Sequence, residues 1–318
     1  MRLNYLLTQC GSLLAQCGRA AAIFLLLLSL GACAASSLNF AKQLTNQPAK
    51  IQTNFVEVMS YAKRSEAAYA SPEIIRQSFP QTIRVAVPEN TKVQYFLEMS
   101  PEKKIQTISI RGTANFIDVL LDAEIVIEES VGLGIPVHTG FQRLALRVYE
   151  DAKPYLHKDY KTRLTGHSLG AAVAAILMLY LQDDGYIVER VINFGQPKFT
   201  TALGAKRFTD VPLLRVVDSD DVVPLLPPRL LRHPVHGPYE HLGEEVILLG
   251  GTSFIQLNEH DSSVVSVDSF WRNIKHASLK DHKMKRYLMR IAPKQSDPQQ
   301  VDYVAWRKSE RKRSAQPQ

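Results

Sequence analysis

The sequence predicts an α/β fold, a mostly parallel central sheet with helices on both faces, and three observations lead to it. Strand-like and helical runs alternate from Glu124 onward: Glu124–Ile127, the helical Gly140–Leu156, Arg163–Thr165, a small-residue helix from Ser168, Val188–Phe194, a helix near Thr200–Phe208, and Leu213–Val217. Such alternation argues for βαβ units. Before it come three β-rich runs, Thr82–Val87, Val93–Met99 and Ile105–Ile110, each bounded by Pro, Asn or Glu-Lys punctuation, which build one side of the sheet. Third, Gly166-His167-Ser168-Leu169-Gly170 falls at a strand-to-helix junction. Reactive groups in open α/β sheets gather beyond the C-terminal ends of the strands.

That pentapeptide reads as a nucleophile elbow. A serine whose Oγ stands clear of a sheet sits on a turn so tight that the positions two before and two after it have no room for side chains, and glycine meets that demand. Ahead of the sheet, Ile51–Ala70 carries apolar residues at Ile51, Phe55, Val58, Met59 and Ala62, a helical spacing that suits a covering helix. There is no internal repeat and no second compositional block, so one α/β domain over residues 51–292 is the economical reading.

The ends differ from this body. In residues 1–32 the only charges are Arg2 and Arg19, and an apolar run from Ala20 to Leu30 ends in small residues, the layout of a secretory signal. Leu30-Gly31-Ala32-Cys33 resembles the lipobox of bacterial lipoproteins, which would make Cys33 a lipid anchor and residues 33–50 its polar tether. Ala34, where such proteins carry aspartate for inner-membrane retention, points to the outer membrane; ordinary cleavage would instead give a secreted or periplasmic chain. Cys10 and Cys17 lie in the removed segment, so no internal disulfide is expected. The formal charge of +7 becomes +5 once Arg2 and Arg19 leave. Much of the excess lies late, from Lys283 to Lys294 and in Arg307, Lys308, Arg311, Lys312 and Arg313, so residues 293–318 read as a basic, solvated tail, with contact to anionic lipid the sharper alternative. Nucleic acid is not an expected partner, because aromatic residues are not interleaved with the basic ones.

A serine hydroxyl needs a base in hydrogen-bond reach and an acid to fix the base's tautomer. Asp218, Asp220 and Asp221 follow Leu213–Val217, and composition does not choose among them. His233, His236, His241, His260, His276 and His282 all lie downstream; His282, near the start of the helical stretch Asp281–Ile291, has the best local setting. Oxyanion donors would be the N–H of Leu169, just after the serine, and a group on the Arg111-Gly112-Thr113 turn after Ile105–Ile110.

Taken together, these segments resemble the class 3, fungal-type lipases of the α/β-hydrolase superfamily, over about residues 55–290. Arg111-Gly112-Thr113 is similar to the family's oxyanion motif and Val137-His138-Thr139-Gly140-Phe141 to the segment entering its next helix. Gly166–Gly170 is the family's usual elbow. Asn193-Phe194-Gly195-Gln196-Pro197 and Asp221–Pro228 resemble the blocks around its acid, and His241–Glu245 and Asp281-His282 with Tyr287 complete the order. The resemblance implies Ser168 as nucleophile, Asp221 as acid, His282 as base, Thr113 and Leu169 as oxyanion donors, and Asp122 as the residue orienting the Thr113 hydroxyl. It implies a lid at Ala114–Leu121, where Val119 stands in place of the family's usual tryptophan; the family's disulfides have no counterpart. The activity implied is hydrolysis of glycerolipid acyl esters through an acyl-enzyme, with no cofactor and no metal. Alternatives are a phospholipase A1 or acyltransferase on the same site, or a catalytically silent envelope lipoprotein.

Overall fold

The structure, a computed structural model, describes residues 43–45, 47–50, 52–113, 127–130, 132–230, 232–273 and 280–314. The signal segment with Cys33, the lid segment 114–121, Asp122 and His276 lie outside them. Within the unit Thr45–Gln318, the first helix is α1, Phe55–Ala67. It starts where the Asn54 side chain accepts hydrogen bonds from the amides of Val56 and Glu57, so it is shorter than the expected Ile51–Ala70. Phe55, Val58, Met59 and Ala62 point inward as their spacing requires. Helix α2, Pro72–Ser78, follows.

Among the described residues, nine strands form the main sheet in the order β1-β2-β3-β6-β7-β9-β12-β13-β14. They are β1 (Thr82–Ala86), β2 (Tyr95–Ser100), β3 (Ile105–Ile110), β6 (Lys161–His167), β7 (Ile187–Phe194), β9 (Leu213–Asp218), β12 (Glu244–Leu248), β13 (Ser253–Leu257) and β14 (Gln299–Gln300). The pairs from β3 through β6, β7 and β9 to β12 are parallel; β1, β2 and β13 attach antiparallel. Register aligns the strand ends, since Ile110 pairs with Gly166, His167 with Phe194, and Phe194 with Val216. The turns after β3, β6, β7 and β9 therefore emerge at one edge of the sheet.

Successive side chains of a strand face opposite ways, and both faces are buried. Helices α3 (Thr139–Ala152) and α4 (Leu169–Asp183) cover one face, with Ile108, Ile110, Leu164, Val191 and Leu213 beneath them. The other face is covered by α1 and α7 (Met284–Ile291) over Ile192, Phe194, Leu214, Val216, Val246 and Leu248. Every residue of α4 from Leu169 to Leu181 is buried, and its apolar composition suits a helix packed on all sides.

A second, antiparallel sheet, ordered β10-β11-β8-β5-β4, was not expected. It comprises β4 (Ile127–Glu129), β5 (Pro136–His138), β8 (Thr200–Thr201), β10 (Arg232–His233) and β11 (Gly237–Glu240). The helix expected near Thr200–Phe208 is only the turn α5, Ala202–Ala205, because Thr200 and Thr201 pair with Glu240 and Tyr239. Also unexpected is α6, Glu259–Asn273, which buries Asp261, Ser262, Ser266, Ser269 and Asn273 beside Val265 and Phe270. Residues 293–314, the described part of the expected tail 293–318, differ from a solvated tail as well. Helix α8, Tyr303–Ser314, lies against α6, with Tyr303 buried and donating to Asp268 at 2.7 Å and Arg307 paired to the same carboxylate.

Candidate active site

Ser168 occupies the single residue between β6 and α4, at φ 59° and ψ −130°, a conformation costly for any residue with a Cβ. The flanking glycines show why the turn closes. A Cβ on Gly166 would lie 2.3 Å from the carbonyl oxygen of Gly170, and one on Gly170 would lie 2.4 Å from that of Ile110. The Ser168 amide donates to the Phe194 carbonyl at 3.0 Å and its carbonyl accepts from the Ala171 amide at 2.9 Å. Its Oγ is buried and makes no hydrogen bond among the described residues.

Of the three acids, two are committed elsewhere. Arg286 and Arg290 of α7 bind both Asp218 and Asp220, at 2.8 to 3.3 Å. Asp221 faces inward: its Oδ2 accepts from His282 Nδ1 at 2.8 Å and from the Tyr287 hydroxyl at 2.6 Å, and its Oδ1 from the Val223 amide at 2.9 Å. Burial of this carboxylate works to raise its pKa, but the adjacent His282 and the donors from His282, Tyr287 and Val223 outweigh burial and hold it below the usual carboxylate range.

The histidines sort the same way. His241 is buried and donates Nε2–H to the Pro224 carbonyl at 2.8 Å. His233 and His236 stack on each other across the β10–β11 turn, 4.5 Å between centroids. His260 is exposed on α6. His282 lies just before α7, which starts at Met284 and not at the expected Asp281. Donation from its Nδ1 leaves Nε2 as the basic nitrogen. Its ring centroid is 4.6 Å from that of His167, the residue next to Ser168. Gly195, at φ +57°, closes the cluster: a Cβ there would be 2.8 Å from His282 Cε1 and 3.1 Å from Asp221 Oδ2.

Residues 111–113 run along the elbow. The Arg111 amide donates to the Gln94 carbonyl at 2.8 Å. A Cβ on Gly112 would meet the His167 carbonyl oxygen at 2.4 Å, the Tyr69 hydroxyl at 2.5 Å and Ser168 Cβ at 2.9 Å. Gly112, the residue before Thr113, is thereby packed against the elbow. Leu169 opens α4, whose first-turn amides have no partner four residues back and form the positive end of the helix dipole.

Three side chains escaped the sequence reading. Tyr69, between α1 and α2, contacts Gly112 and bonds His167 Nδ1 at 2.8 Å; His167 Nε2 reaches the His282 carbonyl at 2.6 Å. Burial first, and the nearby His282 second, push the His167 pKa down to about 3, so its imidazole is neutral. Lys198 is fully buried, donates Nζ to the carbonyls of Leu225 at 2.9 Å and Pro224 at 3.3 Å, and has a pKa lowered by burial to about 7. It pins the segment leading away from Asp221. The one sequence signal for it was a lysine set between Pro197 and Phe199. Among the described residues, no group of three or more His, Cys, Asp or Glu side chains is placed to hold a metal ion.

Residues 107–231 match the lipase (class 3) family. The secreted mono- and diacylglycerol lipase 1 of Fusarium solani is 28% identical over 175 residues, 52% of this chain and 50% of that protein. Toxin TseL of Vibrio cholerae is 32% identical over 119 residues, 36% of this chain and 18% of that protein. The chain thus spans half or less of the length of these curated relatives. Among solved structures, the lipase of Rhizopus microsporus var. chinensis superposes with a TM-score of 0.56 at 22% identity, covering 76% of this chain and 93% of that one. The fold is that of an α/β-hydrolase.

Proposed function

We propose that the chain is a class 3 lipase of the α/β-hydrolase superfamily, a serine carboxylic-ester hydrolase of lipase type acting on glycerolipid acyl esters; the match of residues 107–231 to that family and the likeness to fungal lipases support this reading. The observation that carries this reading is the buried Asp221–His282 pair beside a serine elbow, with only one of the three clustered acids left to face a histidine. In the proposed reaction Ser168 Oγ attacks the ester carbonyl while His282 Nε2 takes its proton. The Asp221 carboxylate holds the Nδ1–H tautomer and stabilises the imidazolium. The amides of Thr113 and Leu169 receive the negative charge of the tetrahedral intermediate. Its collapse passes the proton from His282 to the leaving alcohol. Water, deprotonated by His282, then cleaves the acyl-enzyme, releases the fatty acid and restores the serine.

The family resemblance adds proposed roles for residues that lie outside the described ones: Asp122 orients Thr113, and 114–121 form a lid whose apolar side chains meet a lipid surface on opening. Export with Cys33 as a lipid anchor belongs to the same proposal. It rests on the layout of residues 1–33 and on a relative that is itself secreted. The test is turnover of a short-chain ester and of defined mono-, di- and triacylglycerols and phospholipids by the pure protein. Ser168→Ala should lower turnover by several orders of magnitude, and retention of activity would sink the assignment. Release of the sn-1 acyl chain of phospholipids alone, or transfer of acyl groups to an added alcohol, would mark the phospholipase or acyltransferase alternative. No turnover of any ester would favour a binding lipoprotein.

A further inference from the structure

We infer that Tyr69 and His167 act as a positioning relay that ties the oxyanion turn to the backbone of the base, so that Thr113, Ser168 and His282 hold one mutual geometry. This deepens the proposed hydrolase reading and rests on it. The hydrogen bonds run in one direction. The Tyr69 hydroxyl packs against Gly112, where an added Cβ would lie 2.5 Å from it, and His167 Nε2 faces a carbonyl, which only accepts, so the proton is on Nε2 and the His282 oxygen receives it at 2.6 Å. His167 Nδ1 is then an acceptor, and the Tyr69 O–H donates to it at 2.8 Å. Each group passes polarisation to the next, and such chains strengthen cooperatively in a low-dielectric interior.

The relay touches the parts of the site that come from distant positions in the chain. Tyr69 arrives from the α1–α2 connection, Gly112 from the end of β3, His167 from the end of β6 and His282 from the segment before α7. Asp221 fixes the His282 ring at Nδ1, but a ring swings with its backbone, and the bond from His167 bears on that backbone. A charged His167 would set a second cation against His282 as it becomes an imidazolium; the buried, neutral ring avoids this. Tyr69, Asp221, His282 and Tyr287 are the titratable groups that face it.

His167→Phe keeps a ring of similar size and removes both bonds; the expected result is a fall in kcat of about 10- to 100-fold with KM within about threefold. His167→Gln can place a carboxamide N–H at the Nε2 position and should recover most of that loss. His167→Asn reaches only the Nδ1 position and should not. Tyr69→Phe should lower kcat about tenfold in the wild-type background and have no further effect in His167→Phe. Histidine side-chain NMR of the full chain should show His167 neutral and protonated at Nε2 from pH 5 to 8. Equal activity of the Gln and Asn variants, loss carried by KM, multiplicative effects of the two sites, or a His167 that titrates near pH 6.5 would each overturn the relay. If His167→Phe does not fold, the Gln and Asn comparison and the NMR decide. A wild-type protein with no Ser168-dependent turnover would defeat the hydrolase reading instead, while the NMR result would still report on the hydrogen-bond chain.

Discussion

Replacing Gly195 with alanine inserts a methyl group into the contact between His282 and Asp221. The added carbon would lie 2.8 Å from His282 Cε1, 3.0 Å from Nδ1 and 3.1 Å from Asp221 Oδ2. Carbon atoms pack at about 3.5 Å or more, so the imidazole must retreat by roughly 0.7 Å. The Nδ1 to Oδ2 distance is 2.8 Å, and a shift of that size along the bond takes it to the limit of hydrogen bonding at about 3.5 Å. Misplacement of a catalytic group by about 1 Å costs on the order of 10²-fold in rate, so kcat on a soluble short-chain ester should fall by about that factor with KM little changed. Gly195 also has φ +57°, which adds a backbone cost of about 1–2 kcal/mol for alanine. Gly185→Ala separates the two effects, because Gly185 has φ +80° and, among the described residues, no atom within 4 Å of the position its Cβ would take. It should lose a similar amount of stability, read as Tm, and keep wild-type kcat. If Gly195→Ala retains kcat within about twofold while melting like Gly185→Ala, Gly195 does not set the packing of the acid–base pair.

Tyr287→Phe removes a buried donor 2.6 Å from Asp221. Hydrogen bonds to charged groups contribute about 1.5–3 kcal/mol, so the variant should be less stable by about that amount in urea titrations and turn over about tenfold more slowly; unchanged values in both would contradict the role given to the phenol. Stability should also fall in acid. His167 has an ordinary pKa of 6.5 and a folded value of about 3, so the unfolded chain binds the proton first and folding free energy drops as pH goes from 6.5 to 3. At pH 4.5 this one group costs roughly 2–3 kcal/mol relative to pH 7. His167→Gln should flatten that part of the profile, and a profile identical to wild type would contradict the assignment.

Much of the fold was legible because its signals are local. The alternation of strands and helices and the glycines around Ser168 each follow from a few adjacent residues. Two features were not, for physical reasons. Strands of two residues, such as Thr200–Thr201, have no periodicity to read, and α6 presents serines, an aspartate and an asparagine inward where an apolar stripe would have marked it. In the site, chemistry left three acids and six histidines open, and the family resemblance singled out Asp221 and His282. The packing that separates them is nonlocal. Asp218 and Asp220 are taken by arginines some 70 residues away, at Arg286 and Arg290, and Tyr69 meets His167 across 98 positions. No window of sequence contains either contact.

The central claim, that Ser168 is the activated nucleophile, is tested most directly by mapping the adduct of a fluorophosphonate probe by mass spectrometry. A single adduct is expected on the peptide containing Ser168, none on Ser168→Ala, and labelling slowed by orders of magnitude on His282→Ala. An adduct on another residue, or labelling of Ser168→Ala at the wild-type rate, would contradict it.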